Sequence, residues 1–295
     1  ALETAEACAR KGVKSLVTLT SGFAEAGEQG AANQQRLKDI AKEAGMRIVG
    51  PNCLGYFNPK NNIYATFSTS FTHGMPKIGN VGMVSQSGAF GSHCFVLGRE
   101  KGIGFSYWVT TGNEVDVDVA ECIAFMSQDP GTDVICAYIE GCKDGARLEE
   151  ALRLAYEARK PVLIQKVGRS DVGTAAAASH TASLTGADQV YDAVFERYNA
   201  YRCLTVDELI DITHAASNGV LPQGRNVAVG SISGGAAVMM ADAASDAGLE
   251  MEPLPDASQA KLKELIPFAG TRNPVDFTAM VYNDMSLITK NFDII

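Results

Sequence analysis

One histidine stands alone in a stretch of small residues, a pattern suited to carrying a chemical group between two places. His180 follows a run of alanines within residues 168–186, where serine, threonine and glycine supply most of the rest. Side chains this small cannot form a core, and they let phosphate-sized groups approach closely. The residues alone also allow an exposed histidine without function, or an alanine-rich helical turn. The other histidines are weaker candidates: His73 lies in a predicted linker, and we interpret His93 and His214, in predicted helices, as structural.

Two glutamates follow predicted strands and could hold an imidazole in place. Glu140 ends an apolar strand, and Glu114 follows Gly112 and Asn113 after another strand. In an open parallel sheet, ligands bind at the carboxyl ends of the strands. A carboxylate there fixes one ring nitrogen of a histidine and leaves the other free as a nucleophile. Taken singly, each glutamate is better explained as a solvated loop acid.

A strand, a Ser-x-Ser-Gly turn and a helix occur twice in the sequence. Nine residues from Asn80 match nine from Asn226 at an offset of 146, with five identities. Such a turn offers backbone N–H groups and a helix dipole to an anion such as phosphate, although serine can also simply cap the helix. The duplication favours phosphate and predicts that both helix N-termini converge on one anion. Neither copy has a Gly-x-Gly-x-x-Gly or Lys-Ser/Thr pattern, which gives little support to nicotinamide or P-loop binding.

The elements that position these residues alternate between strand and helix, as in an α/β fold with parallel pairing and right-handed crossovers. Residues 58–78 contain Gly74 and Pro76 and are predicted to form a linker. Predicted strands cover residues 14–20, 47–49, 80–84, 105–110, 134–139 and 162–166. Predicted helices cover residues 34–44, 89–100, 117–127, 147–158, 186–198 and 206–217.

Composition narrows the class of protein. The 295 residues, 46% hydrophobic and 20% charged, are typical of a folded chain of about two domains. A net charge of −9 without a basic cluster argues against nucleic acid or an anionic membrane as a partner. No apolar run approaches the ~18–20 residues that span a bilayer. Seven cysteines, without a second pair beside Cys136 and Cys142, predict reduced thiols in a cytoplasmic protein and no metal site.

Several motifs occur here in the order found in a known family. They are Gly50-Pro51-Asn52-Cys53-Leu54-Gly55, Val84-Ser85-Gln86-Ser87-Gly88, Gly112-Asn113-Glu114, Glu140-Gly141 and Ser179-His180-Thr181. With them the chain closely resembles the nucleoside-diphosphate-forming acyl-CoA synthetases, relatives of succinyl-CoA synthetase and of ADP-forming acetyl-CoA synthetase. The resemblance implies the C-terminal half of a Rossmann-like CoA-binding domain at 1–78. It further implies a flavodoxin-like domain with a phosphohistidine loop at 79–222 and the incomplete start of a second one at 223–295.

The resemblance also implies roles for individual residues. His180 matches the phosphorylated histidine, and Glu140 matches the carboxylate that orients it. The residues expected to bind phosphate are Ser85, Gln86, Ser87, Gly88, Ser233, Gly234 and Gly235. Those expected to contact CoA are Ser21, Gly22, Phe23, Pro51, Asn52 and Cys53, and Gly112, Asn113 and Glu114 are expected near the acid substrate.

The implied activity is an acid–thiol ligase reaction that uses CoA and ATP. A phosphoryl group passes from ATP to His180 and then to a small carboxylic acid, and the CoA thiol displaces phosphate while ADP is released. The resemblance places ATP and Mg²⁺ on an ATP-grasp domain or subunit, so this chain is expected to be a fragment or subunit of a homo- or hetero-oligomer. The acid, short-chain or aromatic, and the choice of ADP or GDP stay open.

The same family includes proteins in which these domains act as non-catalytic CoA-binding regulatory modules. The combination of His180 and Glu140 favours the enzyme, because a binding module does not need this pair. Labelling of the intact protein with [γ-³²P]ATP separates the two alternatives.

We predict that His180 is the residue that becomes phosphorylated. The substitution His180→Ala in the complete enzyme should abolish acid-labile phosphate incorporation, because no other residue in the loop offers a nucleophilic nitrogen. The measurement is labelling with [γ-³²P]ATP, with circular dichroism as the control for folding. Undiminished labelling of the variant would refute the assignment.

Overall fold

A computed structural model describes residues 1–170, 172–173, 188–219 and 222–295 of the chain. The chain divides into two units, Ala1–Val220 and Leu221–Ile295. His180 and most of its small-residue loop lie outside the described residues. Among the helices that the structure describes, none is long and apolar enough to cross a membrane.

The first 49 residues form a pair of parallel strands packed against two helices. The elements are α1 (Leu2–Arg10), β1 (Ser15–Val17), a short 3-10 helix (Ala24–Ala26), α2 (Glu28–Ala44) and β2 (Arg47–Val49). Leu37 and Ile40 of α2 are buried against Ile48 of β2. Helix α2 ends at Gly45, whose φ of 59° is the left-handed conformation that glycine adopts readily at a helix terminus.

A seven-stranded sheet follows in the same unit. Its strands are β3 (Gly55–Asn58), β4 (Ile63–Thr66), β5 (Lys77–Ser85), β6 (Gly104–Thr110), β7 (Val134–Ile139), β8 (Val162–Lys166) and β9 (Tyr201–Arg202). Their order is β4-β3-β6-β5-β7-β8-β9. Strands β5 to β9 pair in parallel, whereas β3 and β4 pair antiparallel at one edge. The mostly parallel α/β architecture predicted from the sequence is thereby confirmed.

Helices cover both faces of this sheet. They are α3 (Gly88–Glu100), α4 (Val119–Gln128), α5 (Gly145–Glu157), α6 (Asp188–Arg197) and α7 (Val206–Ser217). Alternate residues of a strand point to opposite faces, so Ile135 of β7 enters the core beneath α4, α5 and α6. Its neighbour Cys136 enters the core beneath α3 and α7. A strand buried on both faces is apolar throughout, which is why β7 was recognisable in the sequence.

The predicted linker at residues 58–78 is wrong. This segment contains β4 and a 3-10 helix, Thr69–His73, and its rings of Tyr64 and Phe71 pack against Phe57 of β3. Phe57 is fully buried, and its ring stacks on Trp108 with centroids 5.2 Å apart and an interplanar angle of 9°. Gly74 and Pro76, which suggested a break, only mark the turn that leads into β5.

The second unit contains two short parallel strands and three α-helices among its described residues. They are β10 (Gly230–Ser231), α8 (Gly234–Asp246), α9 (Asp256–Leu265), β11 (Val275–Asp276) and α10 (Ser286–Ile294), with a 3-10 helix at Ala279–Tyr282. Leu262, Ile266 and Phe277 are buried in its core. The repeated Ser-x-Ser-Gly turn therefore again joins a strand to a helix, as the sequence predicted.

We predict that Phe57→Ala destabilises the first unit by about 3–5 kcal/mol, because it removes a buried ring and leaves a cavity. Phe67→Ala is the matched control, since 59% of this side chain is exposed, and it should change stability by less than about 0.5 kcal/mol. Urea unfolding followed by tryptophan fluorescence reports on Trp108 directly. Equal midpoints for the two variants would contradict a stabilising contribution of the buried Phe57 ring.

Candidate active site

The carboxyl ends of β5, β6, β7 and β8 lie next to each other at one edge of the sheet. Ser85 at the end of β5 is in register with Thr110 of β6 and with Tyr138 of β7. Ile139 of β7 is in register with Lys166 of β8. The residues that follow these positions are therefore brought together, although they are far apart in the sequence.

The side-chain amide of Gln86 joins two of the loops at this edge. Its oxygen accepts hydrogen bonds from the backbone N–H groups of Glu140, at 2.6 Å, and of Gly141, at 3.1 Å. Its nitrogen donates to the carbonyl of Gly141, at 2.8 Å, and to a carboxylate oxygen of Glu114, at 3.0 Å. Two donors and two acceptors are the full capacity of a carboxamide, so the Gln86 side chain is saturated by protein partners.

Glu114 lies behind Gln86 with its carboxylate enclosed by the protein and only 7% of the residue exposed. Its second carboxylate oxygen accepts from the Thr111 hydroxyl at 3.0 Å and from the Val119 N–H at 2.9 Å. Burial raises the pKa of Glu114 to about 7, against the lowering effects of the Lys143 charge and of these hydrogen bonds. All of these contacts of the Glu114 carboxylate are with the protein itself.

Glu140, the expected orienting carboxylate, is buried with 6% of the residue exposed. The hydroxyl of Tyr138 forms a hydrogen bond with its side chain, and burial together with this negative charge raises the pKa of Tyr138. The ammonium of Lys166 also lies within electrostatic reach, at the end of β8. Burial lowers the pKa of Lys166, while Asp188 and Glu140 act against that change. The position of Glu140 relative to His180 falls outside the described residues and stays a prediction.

The first Ser-x-Ser-Gly turn is closed by its own hydroxyl groups. Ser85 donates from Oγ to the carbonyl of Ser87 at 2.6 Å. Ser87 is the N-cap of α3, and its Oγ accepts from the N–H of Phe90 at 3.2 Å. The helix then starts at Gly88, whose N–H belongs to the first-turn donors that an α-helix cannot satisfy internally. A turn of this geometry suits an anion, as the sequence indicated.

The second turn repeats this arrangement in the second unit. Ser231 donates from Oγ to the carbonyl of Ser233 at 3.0 Å, and Ser233 caps α8 by accepting from the N–H of Ala236 at 3.4 Å. The local surroundings differ, because a β-carbon on Gly234 would lie 3.1 Å from a carboxylate oxygen of Asp276. An anion at this turn therefore has to approach from the side away from Asp276.

Asn113 connects the loops expected to contact CoA with this strand edge. Its side-chain nitrogen donates to Gln34, at 2.9 Å, and to Glu25. Its side-chain oxygen accepts from Asn52 at 3.2 Å. Burial of Glu25 is outweighed by hydrogen bonds from Asn113 and from backbone N–H groups, so the pKa of Glu25 is lowered. A charged Glu25 in turn orders the exposed turn at Gly22, whose N–H it accepts at 2.6 Å.

Gly112 allows the two loops to touch. A β-carbon at this position would lie 2.2 Å from the carbonyl oxygen of Pro51 and 2.4 Å from that of Asn52, distances that no side chain can occupy. The carbonyl of Pro51 accepts from the N–H of Asn113 at 2.8 Å. The expected CoA loop and the expected substrate loop are thus in direct contact.

The expected CoA residues differ in accessibility. Ser21, Gly22 and Asn52 are exposed, whereas Phe23 and Cys53 are each only 3% exposed. Burial raises the pKa of Cys53 to about 11, so its thiol stays protonated and is a poor nucleophile. All seven cysteines are free. In the described part of the chain, no three histidine, cysteine, aspartate or glutamate side chains group as metal ligands.

Sequence reasoning missed three contributors to this site: Gln86 as a link between loops, Tyr138 and Lys166. The last two left a signal, because a buried lysine at the end of β8 is unusual and marks a polar environment at this edge of the sheet. Tyr138 likewise brings a polar hydroxyl into a strand that is apolar throughout. The partners of Gln86 left no such signal, since they come from loops that lie 28 and 54 residues further on.

The sequence and the fold match known proteins. Residues 78–216 match the family described as the succinyl-CoA ligase like flavodoxin domain. Subunit alpha of acetate–CoA ligase [ADP-forming] II from Pyrococcus furiosus is 38% identical over 92% of this chain and 58% of its own length. The corresponding subunit of ligase I from the same organism is 39% identical over 93% and 58%.

A solved structure agrees with these relatives. The dinucleotide-forming acetyl-coenzyme A synthetase 1 of Ca. Korarchaeum cryptofilum, in complex with phosphate and ADP, superimposes with a TM-score of 0.87. It is 34% identical, and the match covers 95% of this chain and 59% of that one. These comparisons confirm the resemblance to the nucleoside-diphosphate-forming acyl-CoA synthetases, and the chain spans less than two thirds of the length of these relatives.

We predict a specific pH dependence from Glu114. Because burial raises its pKa from 4.5 to about 7, the folded protein holds this proton more tightly than the unfolded chain does. Its contribution to stability is present below pH 4.5 and is lost as the pH rises through 7, by about 3 kcal/mol at 1.36 kcal/mol per unit.

Glu114→Gln removes the titrating group and provides the reference. The difference in free energy of unfolding between the wild type and this variant should be larger at pH 5 than at pH 8. Urea titrations at both pH values measure this difference. The variant also places two amide nitrogens opposite each other, which lowers its stability equally at both pH values. A difference that does not change with pH would contradict the burial of an ionisable Glu114.

Proposed function

We propose that this chain is the CoA-binding and phosphoryl-carrying part of an acyl-CoA synthetase. The enzyme forms acyl-CoA from a carboxylic acid, CoA and ATP and releases ADP and phosphate, through a phosphohistidine at His180 and an acyl phosphate. The observation that carries this proposal is the contact, through Asn113 and Gly112, between the expected CoA loop and the strand edge that bears Glu140. A CoA-binding loop has no need to be joined to a buried carboxylate unless both serve one reaction.

The reaction proceeds in three transfers. The neutral imidazole of His180 attacks the γ-phosphorus of ATP, the bond to ADP breaks, and the ring carries the phosphoryl group. A carboxylate oxygen of the acid then takes this group from the nitrogen, which forms an acyl phosphate and restores the imidazole. Finally the CoA thiolate attacks the acyl carbon, and inorganic phosphate leaves. Each step moves a highly charged group, so positioning and electrostatics dominate the catalysis.

In this proposal Glu140 holds the imidazole of His180 by one nitrogen. It keeps the proton on that nitrogen and offsets the positive charge that develops as the other nitrogen attacks. The hydrogen bond from Tyr138 supports the role, because it restricts the carboxylate to one orientation. Lys166, buried nearby at the end of β8, provides a positive charge that favours the ionised carboxylate.

The N-terminus of α3 supplies the phosphate site of this part of the chain. Ser87 and Gly88 begin the helix at the same strand edge as Glu140, so the positive end of the helix dipole is available to a phosphoryl group. Ser233, Gly234 and Gly235 are proposed to serve the same purpose in the second unit, where the capping geometry is the same. Whether one phosphate uses both turns stays a prediction.

CoA is proposed to contact the exposed residues Ser21, Gly22 and Asn52. Phe23, Pro51 and Cys53 are buried, so they contribute backbone groups and hold the loop in shape. Gly112, Asn113 and Glu114 shape the wall of the acid site. The nucleotide and Mg²⁺ are proposed to bind an ATP-grasp domain or subunit that acts with this chain, in line with the subunit names and the bound ADP of the relatives.

We predict that Glu140→Gln in the complete enzyme slows phosphorylation of His180 by about 10²-fold, the scale of a lost orienting or general-base group. The measurement is single-turnover labelling with [γ-³²P]ATP. CoA binding, followed by calorimetry, should be unchanged, because the CoA loop does not depend on this carboxylate.

Glu149→Gln is the control, since Glu149 is a glutamate paired with Arg197 on the surface, away from the strand edge. It should leave the labelling rate at the wild-type value. Full-rate labelling of the Glu140→Gln protein would remove Glu140 from the mechanism. A wild-type protein that binds CoA but never becomes labelled would instead indicate a regulatory CoA-binding module.

A further inference from the structure

The family resemblance assigns Gln86 to phosphate binding, but its contacts point elsewhere. All four hydrogen-bonding positions of its side-chain amide are used by Glu114, Glu140 and Gly141. Its backbone N–H donates to the carbonyl of Tyr138 at 3.2 Å. No donor of Gln86 is left for an anion in front of the turn.

The second copy of the turn provides an internal comparison. Ile232 occupies the position of Gln86, and an aliphatic side chain can make none of these hydrogen bonds. The two turns nevertheless have the same hydroxyl contacts and the same helix cap. The turn geometry therefore does not require glutamine, and the amide of Gln86 serves something that only the first unit contains.

What only the first unit contains is the Glu140 loop. Gln86 binds both backbone N–H groups of Glu140 and Gly141 and the carbonyl of Gly141, so it fixes the backbone from which the Glu140 carboxylate projects. The carboxylate of Glu114 accepts from the amide nitrogen of Gln86, which determines which way round the amide lies. Reversing the amide would set its nitrogen against two N–H donors.

We propose that Gln86 is a positioning residue that aims Glu140 at the phosphoryl-accepting imidazole, held in its orientation by Glu114, and that it does not bind phosphate. This inference rests on the proposed function. It predicts that loss of the amide slows the transfer of the phosphoryl group while the affinity for inorganic phosphate is retained. A displacement of a catalytic group by about 1 Å is enough to cost about 10²-fold in rate.

The test exchanges the two partners in the complete enzyme. Gln86→Glu keeps an oxygen for the N–H groups of Glu140 and Gly141, but it sets its other carboxylate oxygen against the Glu114 carboxylate and against the Gly141 carbonyl. Combining it with Glu114→Gln restores a donor–acceptor pair in the reverse direction, because Thr111 and Val119 bond only to the carboxylate oxygen that remains an acceptor. Gln35→Glu on the exposed surface of α2 is the control that adds the same charge elsewhere.

Two readouts are measured: the single-turnover rate of labelling from [γ-³²P]ATP and the KM for inorganic phosphate in the ATP-forming direction. For Gln86→Glu we expect the rate to fall about 10²-fold with an unchanged KM for phosphate. The exchanged pair should recover part of the lost rate, because the repulsion at Glu114 is removed while the Gly141 carbonyl still lacks its donor. Gln35→Glu should match the wild type. If Gln86→Glu does not fold, the labelling rate of the exchanged pair alone tests the positioning role.

A raised KM for phosphate in Gln86→Glu, or a folded exchanged pair that stays as slow as the single variant, would overturn the positioning role and favour direct phosphate binding. A wild-type enzyme that is not labelled at all would overturn the proposed function itself, and this inference with it. The two failures are therefore distinguishable.

Discussion

Polar groups at the carboxyl edge of the parallel sheet are buried and must satisfy each other, and the site follows from this constraint. Each strand end leaves backbone groups that no neighbouring strand can pair, and leaving one unsatisfied costs about 1–3 kcal/mol. Gln86 bonds to the loop at Glu140, and Glu114 bonds to Gln86. The hydrogen bonds that satisfy these buried polar groups also fix the backbone of Glu140, the residue proposed to orient the histidine. Stability and positioning therefore depend on the same hydrogen bonds.

The three glutamates near this edge show how surroundings separate similar side chains. Glu25 is partly exposed and accepts several hydrogen bonds, and its pKa is lowered. Glu114 accepts as many, but burial dominates and its pKa rises to about 7. Glu140 is buried beside the hydroxyl of Tyr138 and the charge of Lys166. The same residue type is thus an ionised hydrogen-bond acceptor at Glu25, a carboxyl group with a pKa of about 7 at Glu114, and a carboxylate held by hydrogen bonding at Glu140.

The sequence predicted the parallel core well, because strands buried on both faces are apolar without interruption. The predicted ranges for β2, β7 and β8 agree with the structure at both ends. Residues 58–78 were misread, since glycine and proline suggest a linker locally, whereas the rings of Tyr64 and Phe71 pack against Phe57 of β3 and Phe71 also packs against Phe95 of α3. The hydrogen bonds of Gln86 were not predictable either, because they join loops that are far apart in the sequence and share no repeating pattern. The phosphohistidine assignment rests on resemblance and stays a prediction.

The two Ser-x-Ser-Gly turns separate what the repeated fold provides from what the chemistry adds. Hydroxyl contacts and helix caps recur in both copies, so these features belong to the strand–turn–helix unit. Around the first turn lie Gln86 and the Glu140 loop, whereas the second turn has Ile232 and, close to Gly234, the carboxylate of Asp276. An anion site needs only the shared backbone, but a reaction needs side chains of fixed orientation. The asymmetry between the copies therefore supports the proposal that the catalytic groups of this chain lie around the first turn.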